Sequence, residues 1–171
     1  MMPTIRQAKL SDALKLSNLS EKTFRDTYTK MNSQEDIDNH CDRNFSQELQ
    51  ADEISNTQYK VLVAEEENNL VAYALLQWSE SPDCIKEKSS GEILRFYVDS
   101  SWHGKGLAQD LMAECFKQVQ LNKMNIIWLG VWEDNIKAIK FYKKFNFEEV
   151  GEHVFYLGND PQRDIILMRK L

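Results

Sequence analysis

Ile93-Leu94-Arg95-Phe96-Tyr97-Val98-Asp99-Ser100-Ser101-Trp102-His103-Gly104-Lys105-Gly106-Leu107-Ala108 decides the fold. Its first half belongs to an alternating segment that predicts a strand over Glu92–Val98. A short loop with two glycines follows. Leu107, Leu111, Cys115 and Val119 then recur at helical spacing and predict an amphipathic helix to about Lys123. The first-turn N–H groups of a helix lack internal acceptors, and the helix dipole adds partial positive charge there. A strand that feeds a glycine loop and a helix start is therefore suited to phosphate. Two familiar phosphate loops fail on their spacing. A Walker A loop needs Gly-Lys followed by Ser or Thr, whereas Gly106 is followed by Leu107. A dinucleotide fingerprint needs a third small residue where Gln109 stands, and an acid about twenty residues on, near Met124, where none is placed.

Outward from this segment the chain reads as strand, helices, hairpin, two βα units and a final hairpin. Thr4–Ala8 predicts a first strand. Ser11-Asp12 offers an N-cap to a helix carrying Leu14, Leu16, Leu19 and Phe24, and interrupted helix is expected from Ser33 to about Ile54. Tyr59–Ala64 and Leu70–Trp78 predict a hairpin about the polar Glu65–Asn69, with a loop over Ser79–Ser90. Downstream, Ile126–Val131 predicts a buried strand. Ala138, Phe141, Tyr142 and Phe145 predict a core-facing helix. Glu148–Phe155 and Asp164–Lys170 predict strands flanking a turn at Gly158-Asn159-Asp160-Pro161. The expected fold class is α/β (α+β), a mixed sheet with helices on both faces, in one domain over residues 1–171.

A second segment repeats the message: Leu129-Gly130-Val131-Trp132-Glu133-Asp134-Asn135-Ile136-Lys137-Ala138-Ile139-Lys140-Phe141-Tyr142-Lys143-Lys144-Phe145-Asn146-Phe147. It resembles the GNAT acetyltransferase motif L-x-V-x-x-x-N-x-x-A-x-x-[FL]-Y-x-x-x-G-F, with Asn146 replacing the glycine of a left-handed helix cap. His103-Gly104-Lys105-Gly106-Leu107-Ala108 resembles the same family's loop [QR]-x-x-G-x-[GA], His103 departing from its Gln or Arg. The two motifs are correctly ordered and cover roughly Glu92–Phe147. The resemblance implies a mostly antiparallel sheet of about seven strands, flanked by helices, whose central strands splay apart. It implies acetyl-CoA as co-substrate, with pantetheine along Phe96 and Val98, and the pyrophosphate on His103, Gly104, Lys105, Gly106, Leu107 and Ala108. Asn135 would lie beside the cofactor arm and Tyr142 would aim its hydroxyl at the sulfur.

Acetyl transfer to an amine needs a deprotonated nitrogen, a polarised carbonyl and a protonated leaving thiolate. A phenol with a pKa of about 10 suits the last step, and Tyr142 is the candidate acid. From periodicity alone Tyr142 reads as a core tyrosine, and only the family resemblance favours the catalytic role. Glu92, at the start of its strand, is the candidate base, the competing reading being a solvated strand-end carboxylate. A backbone N–H near Val98 is the candidate oxyanion donor. Cys84 and Cys115 have no His–Asp arrangement beside them, so direct transfer is expected over an acyl-cysteine.

The tail Leu129–Glu133, Val150–Phe155 and Asp164–Met168, together with Phe24–Tyr28 and Gln34–Asp36, looks like bacterial spermidine/spermine N-acetyltransferases. That implies an acceptor wall carrying Phe24, Tyr28, Glu35 and Asp36, with Asp26 and Asp38 nearby. Such residues suit a polycation by charge and cation–π contact; an ordinary solvated acidic helix face has the same composition. Another small amine, or a protein amino group, is the alternative acceptor. A GNAT-like domain that binds acetyl-CoA without catalysis is the competing class, disfavoured by the presence of Tyr142.

The bulk composition narrows the partners. With 21 basic against 27 acidic residues the net charge is −6, which disfavours nucleic acid. No apolar run approaches the roughly 20 residues of a membrane span, and no apolar stretch follows Met1 as a signal peptide would require. A cytoplasmic address is the expectation, with a homodimer left open. Three scattered cysteines and three histidines give neither a disulfide framework nor a metal-ligand spacing, so no metal is expected.

Overall fold

The computed structural model describes residues 1–171. Its strands are β1 (Thr4–Gln7), β2 (Tyr59–Glu66), β3 (Asn69–Glu80), β4 (Ser89–Val98), β5 (Ile126–Trp132), β6 (Glu148–Leu157) and β7 (Asp160–Lys170). Its helices are α1 (Ala13–Tyr28), α2 (Gln34–Asn44), α3 (Gln47–Ser55), α4 (Leu107–Leu121) and α5 (Ile136–Lys144). The seven strands form one sheet in the order β1-β2-β3-β4-β5-β7-β6. Every neighbouring pair is antiparallel except β4 and β5, which run parallel.

Strand periodicity divides the core. Leu62, Ala64, Ala72, Ala74 and Leu76 face Leu107, Leu111, Met112, Cys115 and Val119 of α4. The intervening Val61, Val63, Tyr73 and Leu75 face Leu16 and Leu19 of α1. The three alanines lie where α4 crosses, which lets the helix approach the sheet closely. A third cluster joins Phe24, Ile37, Cys41 and Phe45 to Leu157, and so ties α1 and α2 to β6. No helix is long and apolar enough to cross a membrane.

Three local expectations are corrected. Asp12 does not cap α1: one 3-10 turn at Leu10–Asp12 precedes the helix, and the Asp12 carboxylate accepts from Arg6 and from the Lys9 N–H. The helix from Ser33 is interrupted as expected, at Phe45-Ser46, where Ser46 caps a new helix by accepting from the Leu49 N–H at 3.2 Å. The loop over Ser79–Ser90 is shorter than its composition implies, since Ser79 pairs with Ser90 and Glu80 with Ser89 in the β3–β4 ladder. Finally, β7 begins at Asp160 and includes Pro161. Pairing with β5 starts only at Asp164, so the missing proline N–H removes no ladder bond on that side.

Candidate active site

The sheet opens at its centre. β4 and β5 pair only at Gly91↔Ile127 and Glu92↔Trp128. Beyond that point β4 stays with β3, and β5 stays with β7. Leu94 is an extra residue in β4, because Leu75 pairs with Arg95 while Leu76 pairs with Ile93. Such a bulge bends its strand, here at the point where β4 leaves β5. The Asp99 N–H donates to the Val71 carbonyl at 2.9 Å. Period two then turns the backbone groups of Tyr97 toward β3, and those of Phe96 and Val98 into the gap.

The loop after β4 ends in an unpartnered row of donors. The N–H groups of Gly104, Lys105, Gly106, Leu107 and Ala108 have no acceptor within the chain, whereas those of His103 and Gln109 do. Gly104 at φ 75° and Gly106 at φ 88° make the row possible, since left-handed backbone is costly with a side chain. A Cβ at either position would meet nothing within 4 Å. Conformation, not crowding within the chain, therefore requires these glycines.

His103, the departure from the family motif, holds the loop against both neighbours. Its Nε2 lies 2.8 Å from the Val98 carbonyl, and its Nδ1 lies 3.1 Å from Lys137 Nζ. A carbonyl only accepts and an ammonium only donates, so Nε2 carries the proton and Nδ1 is bare. Asn135 caps α5 by accepting from the Ala138 N–H at 3.2 Å.

Two cavities meet at the gap. One, of about 450 Å³, is lined by Phe96, Val98, His103, Gly104, Gly106, Ala108, Asn135 and Tyr142 among others. The other, of about 370 Å³, is lined by Phe24, Tyr28, Glu92, Phe96, Asn135, Tyr142 and residues described below. Phe96, Tyr97, Asn135, Ala138 and Tyr142 line both. Of the residues expected at the loop, two lie elsewhere. Lys105 rests its ammonium 4.9 Å from the Trp102 ring, and the Leu107 side chain is fully buried in the core. Only their backbone amides belong to the row.

Tyr142 is 7% exposed, with aromatic rings of Phe96 and Phe147 at 6.3 and 5.7 Å. Burial drives its phenol far above the usual range, and no hydrogen bond within the chain offsets this. Glu92 is pushed from 4.5 up to about 7, by burial alone. Around the smaller cavity, Phe24 stacks on His40 at 4.1 Å and Tyr28 lies 5.8 Å from Trp132. Burial and the nearby Arg95 lower His40 to about 4, so it is a neutral aromatic plate. Arg95 itself is held in two bonds by Glu53, at 2.8 and 3.0 Å.

Glu35 and Asp36 line neither cavity. Ile37 and Cys41 form the buried face of α2, which turns Glu35 outward, while the Asp36 carboxylate lies over Gly158 at the β6–β7 turn. Asp36 also accepts from Ser33 Oγ at 2.8 Å. The other acids of this region are engaged as well: Asp38 pairs with Arg25 at 2.7 Å and Asp26 with Lys22 at 3.0 Å. The second carboxylate at the smaller cavity is instead Asp164, accompanied by His153. Asp164 directly precedes the apolar run Ile165–Met168, and that edge position was its only local signal. Trp132, His40, Phe155 and Arg95 complete the wall without any such signal.

The comparisons with known proteins agree with this geometry. The profile of the acetyltransferase (GNAT) family matches residues 18–147. An uncharacterized N-acetyltransferase of Lactobacillus delbrueckii subsp. lactis is 28% identical over 167 residues, covering 98% of this chain and 96% of that one. The spermine/spermidine N(1)-acetyltransferase of Bacillus subtilis is 30% identical over 97 residues, covering 55% of this chain and 62% of that one. Among solved structures, a PaiA N-acetyltransferase of Thermoplasma acidophilum, in complex with coenzyme A, superposes with a TM-score of 0.78 at 22% identity, covering 100% of both chains. The split sheet, the glycine loop and a family profile spanning most of the sequence converge: the chain belongs to the GNAT family and is an N-acetyltransferase.

Proposed function

We propose that this enzyme acetylates a small primary amine of the polyamine class, by direct transfer from acetyl-CoA held between β4 and β5. Acetyl-CoA is the family's acyl donor. The amides from Gly104 to Ala108 would take the diphosphate, and the outward backbone groups of Phe96 and Val98 would take the pantetheine amides. A proton of the acceptor ammonium passes to Glu92, whose raised pKa suits it to receive a proton near neutrality. The free nitrogen then attacks the thioester carbonyl carbon, the C–S bond breaks, the Tyr142 hydroxyl protonates the departing sulfur, and the second proton of the acetylated nitrogen returns to the phenolate. Because burial keeps Tyr142 neutral, it enters every turnover as a donor. The oxyanion would be met by the Val98 N–H, which faces the gap.

One observation carries the proposal: an unbroken row of free amides leads into a gap that ends between a buried phenol and a half-buried carboxylate. The polyamine class is supported by the aromatic, carboxylate-bearing acceptor cavity and by the partial likeness to the Bacillus enzyme. A thiol-release assay across spermidine, spermine, short diamines, amino acids, aminoglycosides and a peptide tests it. The highest kcat/KM is expected for the aliphatic polyamines. Turnover restricted to peptides would overturn the acceptor assignment.

A further inference from the structure

β5, β6 and β7 bring Gly130, His153 and Asp164 together beneath the smaller cavity. His153 pairs with Asp164, and Gly130 pairs with Ile166, two residues further along β7. A Cβ on Gly130 would stand 3.0 Å from His153 Nε2 and 3.2 Å from Asp164 Oδ2. The His–Asp pair, with Nε2 to Oδ2 at 3.5 Å, thus occupies the space that a side chain on β5 would take. Asp164 is only 8% exposed, and its Oδ1 has no hydrogen-bond partner. A buried acceptor left unmet is destabilising, and more so when it is charged. Burial holds the Asp164 carboxyl above its usual range and only His153 counters this from within the chain, so a second cation at the free Oδ1 would favour the ionised form.

The other charges at the cavity do not supply it. Arg95 is committed to Glu53, and His40 is neutral. Glu92 and Asp164 are the remaining carboxylates of the lining, and Tyr28, Phe24 and Trp132 offer π faces to an alkylammonium. Glu92 pairs with Trp128, and Gly130 lies two residues further along β5, about 7 Å at the usual strand rise. The two carboxylates are therefore set apart along one cavity, rather than stacked at one point.

We infer that Asp164, seated over Gly130 and steadied by His153, receives the second cationic nitrogen of an aliphatic diamine or polyamine whose reacting nitrogen lies at Glu92. The inference rests on the amine-acetylation reading of this cavity and adds the residue that selects a dication over a monocation. His153 acts as a positioning residue: it fixes the Asp164 carboxylate without meeting the reacting atoms.

The test compares 1,4-diaminobutane with butylamine, which differ by one ammonium at equal length. The wild-type enzyme should prefer the diamine in kcat/KM. Asp164→Asn should lower the diamine-to-monoamine ratio at least tenfold, mainly through the diamine KM. It should also abolish the heat of diamine binding to the CoA-bound enzyme. His153→Ala, at a half-exposed position where folding is not at risk, should shift the ratio in the same direction by a smaller factor. Equal use of both amines by the wild-type enzyme, or an unchanged ratio in both variants, would overturn the role of Asp164 while leaving amine acetylation intact. No turnover of either amine, with turnover of a peptide, would overturn the acceptor reading as well.

Discussion

Two side chains are asked to move protons, and each makes a separable prediction. Tyr142→Phe removes only the hydroxyl, and the ring contacts with Phe96 and Phe147 survive. Steady-state kinetics should show kcat reduced by about 10²-fold, the lower range for a general acid, with acetyl-CoA affinity retained in calorimetry. Unchanged turnover would dismiss Tyr142 as the acid. Glu92 predicts a pH profile. Since it must be ionised to accept a proton, kcat/KM should rise as pH passes about 7, and Glu92→Gln should flatten that limb. Its effect on stability has the opposite sense. The folded state holds the proton to about 7 and the unfolded state releases it near 4.5, so the folded form binds more protons in between. Stability therefore declines as pH rises through that window. Chemical denaturation of Glu92→Gln should lose this slope, and a slope identical to wild type would refute the buried position of the carboxylate.

At the scale of elements, the loop into α4 depends on backbone conformation. Gly106 sits at φ 88° with no neighbour within 4 Å of a Cβ, so Gly106→Ala meets no clash in the free enzyme. It pays instead for a left-handed residue, about 1–2 kcal/mol, and the methyl stands among the amides that would receive the diphosphate. Binding of CoA should weaken by about tenfold, the equivalent of 1.4 kcal/mol. Full affinity would count against the loop as the phosphate seat. Gly91 reports a different constraint. A Cβ there would lie 2.6 Å from Val119 Cγ2, so Gly91→Ala forces α4 off the sheet. A loss of about 1–3 kcal/mol, the range for overpacking, should appear in a urea melt, and no change would mean that α4 seats more loosely than described.

For the whole molecule, the open gap makes ligand binding a stability term. A co-substrate that spans β4, β5, α4 and α5 joins two halves of a sheet that otherwise meet at two residue pairs. At a hundred times its Kd, CoA should stabilise the fold by about 2.7 kcal/mol, read as a rise in Tm. A melting curve insensitive to CoA would contradict the site.

The cofactor half of the site was legible because its parts are contiguous. Gly104 and Gly106 with the start of α4, and Asn135 with Tyr142 on α5, are spaced by helix geometry that any window of sequence reveals. The acceptor half was legible only in part: Phe24, Tyr28 and Glu92, named from the sequence, line the smaller cavity, whereas Glu35 and Asp36 do not. Glu35 and Asp36 have the right chemistry for a cation, yet helical phase turns them away from the cavity once Ile37 and Cys41 are buried. Asp164 and His153 are eleven residues apart and share a site only through the β6–β7 register, while Glu92 joins them across a parallel pair whose extent no local pattern encodes. Local backbone preference, acting over a few residues, therefore determined the glycine loop proposed for the diphosphate and the helix that carries Tyr142 from sequence alone. Which carboxylates face the acceptor was decided by strand registers and by where β4 leaves β5, both set by packing between residues far apart in the chain.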